Sequence, residues 1–157
     1  MKHIYKILSL TVLVLATGFG AALAQNGHFV GTPVCTDQGT TLQCIGKVAG
    51  LDGVVFEITA SVAGVTADSV CRNPGGNIAP GQDFTFTARG STGPRATTRN
   101  GHFDFDISTV TPAVPANSCP NPQWTGIVVD VDFAGRTAVL TITEDGVLSD
   151  QINVAVR

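Results

Sequence analysis

The chain has 157 residues, of which 43% are hydrophobic and 13% charged, with a formal net charge of −3. This length predicts one domain, and a charged fraction about half of the usual quarter argues against a disordered chain or a long solvated helix. Few and scattered basic residues also argue against a nucleic-acid groove, which needs clustered Lys and Arg with aromatic stacking partners.

The first 24 residues have the layout of a secretory signal peptide. Lys2 and Lys6 give a positive start, Ile7–Leu15 is apolar, and residues 22–24 (Ala-Leu-Ala) form a small-x-small cleavage site. The apolar run is shorter than the roughly 20 residues that span a bilayer, and no second long apolar stretch follows, so we expect cleavage rather than anchoring. Removal of residues 1–24, which hold two Lys and no acidic residue, leaves 133 residues with a formal net charge of −5. We therefore expect one secreted domain, 25–157, in an extracellular or periplasmic location.

All four cysteines, Cys35, Cys44, Cys71 and Cys119, follow the predicted cleavage site. An even number in a small exported domain predicts two disulfides, for which three pairings are possible. Cys35 and Cys44 flank a turn-like stretch, 36–40, and most simply face each other across a hairpin, which leaves Cys71 for Cys119. A zinc site is disfavoured because the paired C-x-x-C or His spacing that it needs is missing.

Alternation of apolar and polar residues is the dominant pattern after the signal peptide. This period of two is typical of a strand with one face on a core. In the run 127–133, for example, it assigns Ile127, Val129, Val131 and Phe133 to the buried face. The same pattern occurs at 54–60, 84–89, 102–107 and 137–143, and further strands are predicted around 29–34, 41–48, 65–70 and 147–156.

Turn residues separate these runs, and no sustained helical stripe is present. Asn100-Gly101 predicts a hairpin that joins 96–99 to the following strand, and Glu144-Asp145-Gly146 predicts another turn. Together the runs predict an all-β, antiparallel β-sandwich of eight or nine strands, either immunoglobulin-like or another Greek key. The cysteine–tryptophan–cysteine spacing of immunoglobulins is missing because Trp124 follows the last cysteine.

Two loops rich in Pro, Gly and Asn, 72–82 and 111–124, interrupt the alternation. If Cys71 bonds Cys119, both loops start from one disulfide. One end of the sandwich then presents a group of polar and aromatic residues that suits a protein surface or a polar ligand. The predicted binding residues are Arg72, Asn73, Asn77, Asn121 and Trp124. The alternative is that the amides only turn the chain and that the tryptophan fills the core.

An acidic strand face is the second candidate site. His102, Asp104 and Asp106 share one face of a predicted strand, and Asp130 and Asp132 share a face of a later one. If the two strands are neighbours, the carboxylates and the imidazole could hold Ca²⁺ or Zn²⁺ and support metal-dependent hydrolysis. The alternative is that these are the solvated positions of half-buried strands.

No enzyme motif is present in the sequence. Only His28 and His102 could serve as a base for a serine nucleophile after cleavage, no G-x-S-x-G occurs, and paired cysteines leave no free thiol. We therefore expect a non-enzymatic binding or structural module of the cell exterior, with a protein or a cell-surface or polar ligand as partner and no cofactor. The alternatives are the metal-binding or hydrolytic domain and a secreted protease inhibitor that presents the Pro-rich loop before Cys119.

Overall fold

The structure is a computed structural model that describes residues 27–157, so the predicted signal peptide, 1–24, lies outside the described residues. Residues 27–157 contain ten strands and no helix, and every pairing between these strands is antiparallel. The strands are β1 (His28–Asp37), β2 (Leu42–Ala49), β3 (Val55–Arg72), β4 (Ile78–Pro80), β5 (Phe84–Ser91), β6 (Arg95–Ala96), β7 (Phe103–Ser108), β8 (Thr125–Asp132), β9 (Thr137–Glu144) and β10 (Val147–Ala155).

Strand β3, with 18 residues, is the spine of the larger sheet. Along one side it pairs in succession with β6, β5 and β4, and along the other side with β9 and β8. Strand β10 pairs with β9 alone. The larger sheet is therefore four strands wide. Strands β4, β5 and β6 lie end to end on one side of β3, and β8 and β9 lie end to end on the other side. Strand β10 lies outside β9.

Strands β1, β2 and β7 form the second, smaller sheet in that order. Strand β1 also touches β10 through an isolated parallel bridge between Cys35 and Val156, and the Arg157 amide donates to the Cys35 carbonyl at 3.0 Å. The predicted all-β antiparallel sandwich is confirmed.

Two predicted strands, 54–60 and 65–70, are one strand in the structure. A bulge between Val62 and Val65 inserts an extra residue in β3, and Gly64 at φ +65° supplies the left-handed conformation there. The bulge resets the alternation so that both Val62 and Val65 are buried. The two-residue β6 and three-residue β4 bring the count to ten.

A second bulge corrects the predicted core face of β8. Asp68 lies opposite Asp130, whereas Ser69 lies opposite Val128, so Val129 is the extra residue. The inward face therefore changes at this point, because an inserted residue shifts a period of two by one. Ile127 and Val129, predicted to be buried, are 38% and 51% exposed.

The predicted hairpin at Asn100-Gly101 is wrong, although the turn itself forms. Strand β6 before it belongs to the larger sheet and β7 after it to the smaller one, so the turn carries the chain between sheets. Gly101 has φ +63°, and a Cβ there would lie 2.8 Å from the Leu51 carbonyl oxygen. Asp145-Gly146 does form a hairpin turn, with φ of 50° and 82°, and joins β9 to β10.

Apolar side chains from both sheets fill the space between them. Phe56 on β3 makes an edge contact with Phe103 on β7, with ring centroids 5.1 Å apart. Each fully buried side chain of this size contributes about 1.5–3 kcal/mol relative to an exposed one. The largest fully buried apolar residues are Phe56, Phe133, Leu42, Ile58, Ile107, Leu140 and Ile142.

Glu144 is a fully buried carboxylate at the end of β9. Its Oε1 accepts hydrogen bonds from the Asp52 and Gly53 amides at 2.9 and 3.1 Å, and its Oε2 accepts from the Gly27 amide and the Ser149 hydroxyl at 3.0 and 2.8 Å. Burial raises the pKa of this carboxyl, but these four hydrogen bonds outweigh it and hold the pKa below its ordinary value of 4.5. The charged form thus ties together three segments that are distant in sequence.

Asp145 extends this arrangement by one residue. Its carboxylate accepts from the amides of Val54 and Val55 at 3.1 and 2.9 Å, and its own amide donates to the Val55 carbonyl at 2.8 Å. Two adjacent carboxylates therefore bind four successive amides, 52–55, of the connection between β2 and β3. This replaces the strand pairing that the connection lacks.

Substitution of Glu144 by Gln should lower the free energy of unfolding by about 2–3 kcal/mol at pH 7, because all four donors lose a charged acceptor and two of them then face an NH2 group that cannot accept. A lowered pKa in the folded state stabilises the protein above the unfolded pKa, and this contribution is lost as the pH falls through the folded value. The gap between wild type and E144Q should therefore narrow from pH 7 to pH 2 in denaturant titrations.

The exposed Asp52 provides the control for this prediction, since D52N should change stability by less than about 0.5 kcal/mol. A gap between wild type and E144Q that stays constant over this pH range would contradict the assigned role of the Glu144 charge.

Candidate functional site

Both predicted disulfides are present. Cys35 and Cys44 occupy paired positions of β1 and β2, with their Cα atoms 4.1 Å apart. Cys71, at the end of β3, bonds Cys119 in the loop after β7, with a Cα separation of 5.7 Å. The second bridge holds the two Pro- and Asn-rich loops at one end of the sandwich, as the sequence predicts.

The asparagines of these loops shape their own turns. The Asn73 side-chain oxygen accepts from the Asn77 amide at 2.9 Å, and that of Asn121 accepts from the Gln123 amide at 3.0 Å. The Trp124 amide also donates to the Asn121 carbonyl at 3.1 Å. The Asn121 bond to the amide two residues on is that of an Asx turn, and the Asn73 bond closes the loop 73–77. Asn73 and Asn121 therefore position the loops with the side-chain atoms that a ligand would otherwise use.

Arg72 and Trp124 are the two remaining residues of the predicted binding group. Arg72 is exposed and pairs with Thr125 in the register of β3 and β8, so it lies beside the residue that follows Trp124. Trp124 is half-buried and is not part of the buried core cluster. Trp124 therefore does not fill the core, contrary to the alternative interpretation.

Trp124 lines a cleft of about 480 Å³ between the loop after β7 and strand β8. One wall comes from the Pro-rich part of the loop and the other from the first half of β8. The residues that line it are Pro112, Ala113, Val114, Pro115, Ala116, Cys119, Pro122, Trp124, Thr125, Gly126 and Val128. We call this the loop cleft.

The loop cleft exists because the larger sheet is longer than the smaller one. Phe56 near the start of β3 faces Phe103 of β7, whereas Cys71 near its end is bridged to the loop. The loop leaves the β5 side of the larger sheet, reaches β8 at Val114 and returns to the β4–β5 connection at Ser118. The Val110 amide donates to the Arg89 carbonyl and the Gln82 amide to the Ser118 carbonyl, both at 3.0 Å.

Gly126 lets the middle of this loop approach β8. A Cβ at Gly126 would lie 2.5 Å from Cγ1 of Val114, closer than real Cβ contacts come. Val114 therefore takes the place that a side chain at position 126 would occupy. The Pro-rich segment is visible in the sequence, but its return onto β8 is not, because no local pattern marks this contact.

Apolar side chains make up most of the lining of the loop cleft. Its walls are mostly Pro, Ala and Val with one indole ring, and the Thr125 hydroxyl is the one hydroxyl among the residues that line it. None of these residues carries an acid, a base or a free thiol, since Cys119 is in a disulfide. Such a surface can take an apolar side chain or a flat ring out of water.

The predicted acidic metal site is wrong as a single cluster. Asp104 and Asp106 lie on β7 of the smaller sheet, with His102 just before it, whereas Asp130 and Asp132 lie on β8 of the larger sheet. Because the two strands are not neighbours, their polar faces do not meet. Residues 27–157 contain no group of three or more His, Cys, Asp or Glu side chains that could hold a metal ion.

Three of the four aspartates have local partners instead. Lys47 Nζ lies 3.2 Å from Asp104 Oδ1, and the Gln43 amide group donates to both oxygens of Asp106. Asp132 Oδ1 accepts from the Ala134 amide at 3.0 Å and caps the turn after β8. Asp104, Asp106 and Asp132 therefore fit the alternative that they occupy the solvated positions of half-buried strands.

Substitution of Gly126 by Ala should lower the free energy of unfolding by about 1–3 kcal/mol, because the new methyl group overlaps Val114. Denaturant titration of G126A, V114A and the double variant measures this overlap. The double variant should be more stable than the sum of the single effects predicts.

Gly75 is the matched control for this prediction, since a Cβ there has its nearest neighbour at 3.4 Å and G75A should be nearly neutral. If G126A is as stable as wild type, or if V114A brings no relief, the loop does not lie on β8 as described.

Comparison of the chain with protein-family models, with curated proteins and with solved structures finds no match. Among residues 27–157, no helix is long and apolar enough to cross a membrane. The two disulfides are of the kind that persists in an oxidising environment.

Proposed function

We propose that this chain is an exported, non-enzymatic binding module that holds a partner protein in the loop cleft. The observation that carries the proposal is the half-buried Trp124 in a cleft lined mostly by Pro, Ala and Val, at the end of a disulfide-bonded sandwich. Loops on a rigid scaffold are the usual place for recognition in such folds.

Export is supported by the sequence of residues 1–24 and by the pairing of all four cysteines. Disulfides persist outside the cytoplasm and are rare inside it. The Cys71–Cys119 bridge closes a separation of 48 residues, and in the chain-entropy model it stabilises the fold by about 4 kcal/mol. The bridge that stabilises the domain also fixes the base of the cleft.

The loop cleft is held in one arrangement before any partner arrives. Its loop is tied by the Cys119 bridge, by the Val114 contact at Gly126 and by backbone hydrogen bonds at Val110 and Ser118. A preformed site loses little entropy on binding, so more of the contact energy becomes affinity. This favours a binding role over a purely structural one.

A protein is the class of partner that best fits the side chains present. Trp and Arg are enriched among the residues that dominate protein interfaces. Arg72 pairs with Thr125, and Trp124 directly precedes Thr125 in the chain. The protease-inhibitor alternative needs a loop that projects into a protease. Here the Pro-rich loop instead turns its Val114 onto Gly126 and forms a wall of the cleft.

Substitution of Trp124 by Ala should remove at least about nine tenths of the partner that wild-type protein retains, because a central aromatic contact is worth about 2 kcal/mol or more. The exported protein is immobilised and exposed to envelope and medium extracts of its native host. Retained proteins are quantified by mass spectrometry, and a thermal melt of W124A checks its fold.

L148A is the matched control, since Leu148 is an exposed apolar residue on β10 and is not among the residues that line the cleft. It should retain the partner at the wild-type level. If folded W124A retains the same proteins as wild type, the proposed function is wrong.

A further inference from the structure

We propose that the partner enters as an extended, basic segment that adds a strand to the free edge of β8, with its apolar side chains in the loop cleft. This inference rests on the proposed function and names the form and charge of the partner. It is carried by three features that meet at β8: an unpaired edge, the cleft beside that edge and an excess of carboxylates.

Strand β8 is an edge strand in the structure. In residues 27–157 its single strand neighbour is β3, since β10 runs beside β9 and not beside β8. Away from β3, the Val131 amide donates to the Gly39 carbonyl at 3.0 Å, which marks where the tip of the β1–β2 hairpin reaches this edge. The rest of the edge, toward Thr125, is a template for another strand.

The loop cleft lies along this same edge. Its strand wall comes from the inner face of β8, where Val114 lies against Gly126, and none of the residues that line it belongs to β3. Gly126 and Val128 line it, whereas Ile127 and Val129 are exposed. A strand added about 4.8 Å from β8 would therefore place alternate side chains in the cleft and on the outer face.

The charges near this edge select a basic occupant. Asp130 and Asp132 are exposed on β8, and Asp130 lies directly opposite Asp68 of β3. Like charges at opposed positions are unfavourable, so Lys or Arg beside Asp130 would relieve this pair. Arg72 lies opposite Thr125 and would repel a basic side chain there. The basic residues of the incoming segment should therefore lie near Asp130.

A second copy of this chain fits the edge less well. Two β8 strands joined edge to edge would bring both copies of Asp130 and Asp132 onto one ribbon. Residues 27–157 hold 7 basic and 12 acidic side chains, so each copy also carries a formal net charge of −5. A basic segment of another protein meets neither penalty.

The test uses a fluorescein-labelled synthetic octapeptide of alternating Val and Lys, and fluorescence polarisation with the purified exported protein. Two further peptides are compared: one has Glu in place of Lys, and one is N-methylated at alternate amides so that one edge cannot form strand hydrogen bonds. The Val–Lys peptide should bind, and the other two should bind at least about tenfold more weakly.

Variants of the protein test the charges. D130N/D132N should weaken binding of the Val–Lys peptide by at least about fivefold, because the incoming Lys side chains lose the attraction of these two carboxylates. D104N/D106N is the matched control, since these two exposed aspartates have the same spacing on β7 of the other sheet. This variant should bind the Val–Lys peptide as wild type does.

Three results would overturn the inference: no binding of the Val–Lys peptide, equal binding of the N-methylated peptide, or equal binding by D130N/D132N. Sedimentation that shows a dimer which D130N/D132N strengthens would assign the edge to a second copy and would also overturn it. If one of these results is found but W124A still loses the native partner, the proposed function is kept and only strand addition at β8 is rejected. If W124A retains the partner, both fail.

Discussion

The length of β3 relative to the second sheet is the constraint on which the rest of the structure depends. Strand β3 has 18 residues, whereas β1, β2 and β7 have 10, 8 and 6. The inner face of a strand this long must be covered along its whole length, because apolar side chains left in water destabilise the fold. The smaller sheet covers its start, where Phe103 packs on Phe56, but not its far end.

The two ends are closed with different chemistry. At the start of β3, the Glu144 and Asp145 carboxylates bind four successive amides and replace missing strand pairing with charged hydrogen bonds. At its far end, a disulfide and a Pro-rich loop replace the second sheet. A loop follows a strand surface less closely than a sheet does, and the loop cleft is the space that remains. Strand β8 has no second strand neighbour among residues 27–157, because β10 pairs with β9.

Local patterns were enough to predict the fold class, because a period of two reports which residues face a core. The Cys35–Cys44 bridge and the Asp145-Gly146 turn were also predictable, since both depend on residues close in sequence. The bulges at Gly64 and Val129 were not, because an inserted residue changes the face without a compositional mark. The predicted strands 54–60 and 65–70 leave residues 61–64 between them, and Val129 fits the predicted apolar stripe that runs from Ile127 to Phe133.

Longer-range features followed from the sequence only in part. The sequence brought Arg72 and Trp124 to one end of the sandwich through a disulfide, but not the contact of Val114 with Gly126 that forms the cleft wall. It also could not assign β7 and β8 to different sheets, which separates Asp104 from Asp130. Glu144 looked like an ordinary turn residue, because the amides that it binds are about 90 or more residues away in the chain.

Native-state amide hydrogen exchange of the free exported protein tests most directly whether the end of β3 is covered by a loop and β8 is left as an edge. We expect the amides of β3 to exchange slowly through Cys71, and those of β9, which lies between two strands, to exchange only on global unfolding. Outward-facing amides of β8 between Thr125 and Asp130 should exchange far faster than those of β9. Equal protection of β8 and β9 would contradict the open edge and the binding role built on it.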